Sequence, residues 1–380
     1  MNRAPGTRPR ARRMSGVRRV VVKIGSTSVA GEANQLHRPT VRRLVGEVCA
    51  LRERGLEVAV VSSGAVAAGM GRLGLSERPR SIADLQAVAA VGQNLLVTTY
   101  ESLFARRGVP VGQVLLTAGD ILEDRQRYVN LRNTFRQLFA LGAVPLINEN
   151  DSVGVAELKR SLGDNDMLAA YVANLIHAEL LVILSDVEGL YRRYANGRGD
   201  ELLREVSLGD DVSRSVSRAA NRLGRGGMAT KVKAAQLLMA CGEMTVVAHA
   251  RKHSLAEILD GGEVGTLFVP AGRRMGSRKR WIGFASPPRG SVTVDAGAVA
   301  ALKLRGGSLL PAGVTACSGT FRAGDVVRVE DDQGREVARG MSRYGAGEVG
   351  RILGRSSPEV ASILGQPPLE VIHRDDLVLT

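Results

Sequence analysis

Val20-Val21-Val22-Lys23-Ile24-Gly25-Ser26 is a short β-branched run that ends in a lysine, a glycine and a hydroxyl residue. Such a run, too short for a helix, reads as a buried strand. Pro39 to Arg54 follows as a helix, with proline at an N-terminal position and Gly55 as the stop. A second apolar run, Glu57 to Val61, then ends in Ser62-Ser63-Gly64-Ala65. Outward from this strand, helix and strand the alternation continues. Val109 to Leu116, Ala143 to Asn148, Leu180 to Leu184 and Met244 to Ala248 read as strands. Asp84 to Arg107 closed by Gly108, Asp124 to Leu141 closed by Gly142, and Asp164 to His177 read as helices. The expected class is α/β, a mostly parallel sheet sandwiched by helices.

Ligands of such sheets sit beyond the carboxyl ends of the strands. Lys23 to Ser26 end the first strand, Ser62 to Ala65 the second, Asn148-Glu149-Asn150-Asp151 the run from Ala143, and Ser185-Asp186 the run from Leu180. Any one of these clusters could be only turns and caps, but four strand ends converge on one crevice. Gly226-Gly227-Met228-Ala229-Thr230-Lys231 adds a glycine pair that lets backbone N–H groups approach an anion, and a lysine one turn into the following helix. That is phosphate-binding chemistry. Only seven of the 52 basic residues are lysines, and Lys23 and Lys231 are two of them. Gly69-Met70-Gly71-Arg72-Leu73-Gly74 and Gly345-Ala346-Gly347-Glu348-Val349-Gly350 match a dinucleotide-binding spacing but join no strand directly to a helix, and no P-loop signature occurs. His249 and His253 lack a third ligand and read as ordinary residues.

The chain of 380 residues carries a net charge of +14, and the charge is local. Residues 1–19 hold seven arginines and no acid, and residues 271–289 hold five arginines and Lys279, again with no acid. The two remaining stretches are near neutral. Residues 1–16 are expected to be a disordered basic tail, 17–270 a first domain and 271–289 a basic linker. After the linker, Ser291 to Val294, Asp325 to Glu330 and Glu336 to Met341 read as short strands, the last two joined by a turn at Asp331-Asp332-Gln333-Gly334. A small β-rich domain over 290–376 is expected. Cys49, Cys241 and Cys317 are widely spaced and read as buried hydrophobes. No apolar run reaches membrane-spanning length and no signal peptide is seen, so the expected location is cytoplasmic, with no membrane partner.

Lys23-Ile24-Gly25-Ser26, Ser62-Ser63-Gly64-Ala65, Asn148-Glu149-Asn150-Asp151, Gly163-Asp164-Asn165-Asp166 and Gly226-Gly227-Met228-Ala229-Thr230-Lys231 resemble, in order and spacing, the glutamate 5-kinases of the amino-acid kinase superfamily. Ser308 to Gly313 and Val371 to Asp376 resemble parts of the PUA domain that many bacterial members carry. The resemblance covers about residues 17 to 376. It implies transfer of the ATP γ-phosphoryl to the side-chain carboxylate of L-glutamate, giving glutamyl 5-phosphate for proline synthesis, with ATP and Mg²⁺ required. By the same resemblance Lys23, Lys231 and Asp166 are catalytic, with Asp166 holding the two lysines. Ser63, Asp151 and Asn165 match glutamate-binding positions, with Lys159 assisting. Lys23, Ser185, Asp186, Arg225, Gly226, Gly227, Met228, Ala229, Thr230 and Lys231 match nucleotide positions. Asp151 suits a substrate α-ammonium, and Asn165 a substrate carboxylate.

Ser185 stands where a threonine is common, and Arg225 where a small hydroxyl residue often precedes the glycine pair. The resemblance further implies proline as a feedback inhibitor, a homodimer or homotetramer, and glutamyl phosphate reductase as a partner. N-acetylglutamate kinase or a phosphate-monoester kinase, the alternatives within the superfamily, should lack the Asn-Glu-Asn-Asp cluster and the added domain. An RNA-binding module is the alternative from another class. The net charge of −1 over 290–380 and few aromatics weigh against RNA binding as the main function.

Overall fold

The computed structural model describes residues 10–30, 36–122, 125–153, 165–192, 194–195, 198–212, 215, 227–270, 276, 279, 282–283 and 286–379. Lys159, Gly163, Asp164, Arg225, Gly226 and most of 271–289 lie outside them. The chain divides into two units, one of residues 1–121 and 126–274, the other of 122–125 and 275–380.

In the first unit, besides a two-stranded ribbon of Tyr194–Ala195 and Arg198–Gly199, the described strands are β1 (Arg19–Ile24), β2 (Glu57–Ser62), β3 (Val111–Leu116), β4 (Val144–Glu149), β5 (Leu180–Ser185), β6 (Glu205–Ser207), β7 (Met244–His249) and β8 (Thr266–Val269); these eight belong together. They form one sheet in the order β3-β4-β2-β1-β5-β7-β8-β6. β1 runs parallel to β2 and to β5, with Lys23 opposite Val61 on one side and Ile183 on the other. The pairs β2/β4, β3/β4 and β5/β7 are also parallel, so six strands end on one edge. β8 is antiparallel to β7, and β6 pairs with β8. β1 and β5 are almost wholly buried, which is why they read as unbroken apolar runs.

Helices cover the sheet because each offers one apolar stripe. α1 (Arg38–Glu53) buries Val41, Leu44, Val45, Val48 and Leu51, spaced for one helical face. It ends before Gly55, whose φ of 84° suits glycine. α2 (Ala65–Leu73) and α3 (Ile82–Ala105) approach backbone to backbone. A Cβ on Gly69 would lie 1.9 Å from the Val88 carbonyl oxygen, and one on Gly92 1.8 Å from that of Ala65. Gly69 thus serves the packing of the two helices. α3 begins at the Ser81 cap, whose hydroxyl accepts from the Asp84 N–H at 3.0 Å, rather than at Asp84 itself. α4 (Arg125–Ala140), α5 (Asn165–Ile176) and α6 (Met228–Cys241) complete the long helices among the described residues of this unit.

The basic tail expected over 1–16 does not hold at its end. Arg10–Met14 forms a short helix, Met14 and Val17 are buried, and Arg13 Nη1 donates to Glu205 Oε1 at 2.8 Å. Two apolar anchors outweigh the arginine-rich composition there.

The second unit holds a five-stranded sheet of β9 (Gly290–Val294), β10 (Val314–Gly319), β11 (Val326–Glu330), β12 (Glu336–Met341) and β13 (Leu377–Leu379), in the order β10-β9-β11-β12-β13. β11 and β12 form the expected hairpin, with Gly334 at φ 73° in its turn. The segments Ser308 to Gly313 and Val371 to Asp376 meet: Leu309 bridges Ile372, and the Arg374 N–H donates to Ser308 Oγ at 3.0 Å. Val292, Leu302, Val329, Tyr344 and Ile352 are among its buried core residues. Cys49 and Cys241 are buried, whereas Cys317 is only half-buried on β10.

Candidate active site

Lys23 lies near the end of β1, where a buried charge must find a partner or pay a large desolvation cost. That partner is Asp166, one residue into α5 and fully buried. Lys23 Nζ lies 2.5 Å from Asp166 Oδ1, and Lys231 Nζ donates to Asp166 Oδ2 at 2.9 Å. Thr230 Oγ1 bonds both Asp166 Oδ2, at 3.2 Å, and the Gly227 carbonyl, at 2.8 Å. Lys23 and Lys231 are 3% and 5% exposed. Two ammonium groups thus meet one carboxylate in a place that water barely reaches.

Lys231 reaches this point because α6 starts at Gly227, an extended cap with φ of −90°, and places Lys231 one turn in. Gly25, directly after β1, donates its N–H to the Leu184 carbonyl at 3.1 Å, tying the β1 loop to the end of β5. A Cβ on Gly25 would stand 3.8 Å from Lys23 Nζ. Ser185 and Asp186 follow there, with Ser185 Oγ donating to Asp186 Oδ1 at 3.0 Å and Asp186 exposed.

A second cluster adjoins the first through the neighbouring residue of α5. Asn165 Nδ2 donates to Ser63 Oγ at 2.7 Å, to the Ser62 carbonyl at 3.1 Å and to Asn148 Oδ1 at 3.0 Å. Asn148 Nδ2 in turn donates to Gln93 Oε1, on α3, at 2.7 Å. Behind them Ser62 Oγ and the fully buried Tyr100 hydroxyl share a hydrogen bond of 3.1 Å. Burial pushes the Tyr100 hydroxyl up to about 12, against the opposing pull of Ser62. Asp151 lies half-buried on the loop after β4, where the Asn150 N–H donates to the Leu116 carbonyl at 2.8 Å.

Of the expected site residues, the structure thus joins Lys23, Asp166, Lys231 and Thr230 directly, and Ser63 with Asn165. It sets Gly227, Met228 and Ala229 at the start of α6, and Ser185, Asp186 and Asp151 at strand ends of the same sheet edge. Lys159, Arg225 and Gly226 lie outside the described residues. Gln93 and Tyr100 carry no sequence signal, because a glutamine or tyrosine in a long helix reads as ordinary. Asn148 was legible only as part of its cluster. Among the described residues no group of three His, Cys, Asp or Glu side chains could hold a metal ion, and no helix is long and apolar enough to cross a membrane.

A buried Lys-Asp-Lys arrangement at the end of a parallel sheet is the equipment of a phosphotransferase. The model of the amino acid kinase family matches residues 18–248, and that of the PUA domain residues 290–364. Among curated proteins, glutamate 5-kinase of Trichormus variabilis is 44% identical over 368 residues, spanning 95% of this chain and 99% of its own length. Glutamate 5-kinase of Chromohalobacter salexigens is 45% identical over 368 residues, spanning 95% and 96%. Among solved structures, carbamate kinase from Giardia lamblia bound to AMP-PNP aligns over 67% of this chain and 99% of its own, with 16% identity and a TM-score of 0.47. The chain belongs to the amino acid kinase family, and within it to the glutamate 5-kinases.

Proposed function

We propose that the chain transfers the γ-phosphoryl group of ATP to the side-chain carboxylate of L-glutamate, the first step toward proline. The observation that carries this reading is the buried Lys23-Asp166-Lys231 arrangement beside Ser63 and Asn165. Phosphoryl transfer asks a protein for positioning and charge neutralisation more than for covalent chemistry. Lys23 and Lys231 flank the moving phosphoryl and take up the charge that spreads over its oxygens. Asp166 offsets their mutual repulsion and fixes their direction, so neither ammonium has to reorganise as the reaction proceeds. The backbone N–H groups at the start of α6, with Gly226 and Gly227, receive nucleotide phosphates. Ser185 and Asp186 face the rest of the nucleotide, and Arg225 and Lys159 are assigned to the nucleotide and acceptor sides.

Mg²⁺ is held through substrate phosphates and retained waters more often than by an all-protein cage. Such an ion would arrive with the nucleotide and would neutralise part of the charge on its phosphates. On the acceptor side Ser63, Asn165 and Asp151 hold the amino-acid end of glutamate. The family resemblance adds proline as a feedback inhibitor, a homodimer or homotetramer, and handover of the labile acyl phosphate to glutamyl phosphate reductase.

Hydroxylamine traps acyl phosphates, which makes the test direct. Hydroxamate formed from L-glutamate, ATP and Mg²⁺, absent with N-acetylglutamate and lost in Lys231→Ala, is the expected result. Hydroxamate only from another acid would refute the assignment.

A further inference from the structure

We propose that Gln93 is a positioning residue that secures the hydrogen-bond polarity of the amino-acid subsite, holding Asn148 in place against Asn165. The inference rests on the glutamate reading above and goes beyond it in assigning which atoms meet the substrate. The chain of amides has one fixed end. The Ser62 carbonyl can only accept, so the Asn165 atom 3.1 Å from it must be the Nδ2 group. The Asn148 atom 3.0 Å from that Nδ2 must then be Oδ1, and Asn148 Nδ2 must face the other way. It finds Gln93 Oε1 at 2.7 Å. Each amide is locked in one of its two orientations by the next, and Gln93 is the last acceptor in the line.

The two N–H bonds of Asn165 thus serve three protein acceptors. What Asn165 offers a ligand is its carbonyl oxygen, an acceptor suited to a substrate ammonium rather than the donor to a carboxylate that residue type alone suggests. Ser63 Oγ, which accepts from Asn165 at 2.7 Å, keeps its own proton to donate. One acceptor and one donor side by side match the α-ammonium and α-carboxylate of a free amino acid. Losing the Gln93 acceptor strands the Asn148 Nδ2 donor, so that only the contact to Asn165 still holds the Asn148 amide and the pattern loosens. A site built to pair a polar group rejects analogues lacking it strongly, because its own groups are left unpaired.

Steady-state hydroxamate kinetics on the full-length protein test this, with L-glutamate and with glutarate, which lacks the ammonium. Gln93→Leu should raise the KM for glutamate about tenfold, the scale of one hydrogen bond to a charged ligand. The KM for ATP should stay within about twofold, and the preference for glutamate over glutarate should fall about tenfold. Gln93→Glu, which still accepts, should stay near wild type. In an Asn148→Asp background, where both oxygens accept and no orientation needs setting, Gln93→Leu should add little. Equal effects of Gln93→Leu and Gln93→Glu, parallel loss for ATP and glutamate, or an undiminished Gln93→Leu effect in the Asn148→Asp background would overturn the proposal. Wild-type protein that makes hydroxamate from glutamate while the variants fail this pattern refutes the role of Gln93 alone; no hydroxamate from the wild type would sink the substrate reading and the inference with it.

Discussion

Lys23 and Asp166, 143 positions apart in the chain, bring Nζ and Oδ1 to 2.5 Å in a pocket where Asp166 has no exposed surface. Removing one member of a buried ion pair strands the other and typically costs about 3–5 kcal/mol. Asp166→Asn should therefore lower the unfolding free energy by about that amount in urea melts. It should also reduce kcat by about 10²–10³, as for other preorganised electrostatic groups. Lys231→Met, which leaves Asp166 its pairing with Lys23, should cost less stability than Asp166→Asn while still abolishing turnover.

The crossing of α2 and α3 gives a second expectation. Gly92→Ala would force a methyl group to within 1.8 Å of the Ala65 carbonyl oxygen. Overpacking of this kind costs about 1–3 kcal/mol or more. Gly347→Ala, in the helix Ala346–Arg351 with nothing within 4 Å of the added Cβ, should instead stabilise by about 0.4–1 kcal/mol. Thermal denaturation of the two variants should move in opposite directions.

Asp120 supplies a pH-dependent test. Burial would raise its carboxyl, but the Thr117 hydroxyl and amide and then Arg127 Nη1 outweigh that and hold it below the usual carboxylate range. A carboxyl lowered in the folded state stabilises above its unfolded value and loses that contribution as pH falls through the folded one. Wild type should be more stable than Asp120→Asn at neutral pH, and the gap should close under acid. A gap that persists unchanged under acid would rule the carboxylate out as its source.

Tyr100→Phe removes the buried hydroxyl that shares a hydrogen bond with Ser62. The expected loss is about 1 kcal/mol in unfolding free energy, together with a rise in KM for glutamate, because Ser62 carries the carbonyl that anchors Asn165. Calorimetry and the hydroxamate assay check the two effects separately.

The sheet was legible where burial on both faces left unbroken apolar strings, as in β1, β2 and β5. It was less so where the signal is short or borrowed. β8 is four residues, and β6 is three residues with exposed flanks, so their pairing depends on partners supplied by the rest of the unit. No helix was expected over α2, whose Gly69 is what allows its close contact with α3. Within the site, Lys23 stood out as a charge ending an apolar strand, and Asp166 through its motif. Gln93 did not, since its meaning comes from one hydrogen bond to a residue 55 positions away.

Asn165 and Asp166 are consecutive, yet one belongs to the amide cluster and the other to the pair of lysines. Their Cα atoms are about 3.8 Å apart across a planar linkage that barely deforms. The alignment of acceptor and donor then inherits the stiffness of a single covalent bond: when α5 drifts or tilts, both halves of the reaction are carried along together, and their mutual registration survives motions that would spoil a site assembled from separate loops.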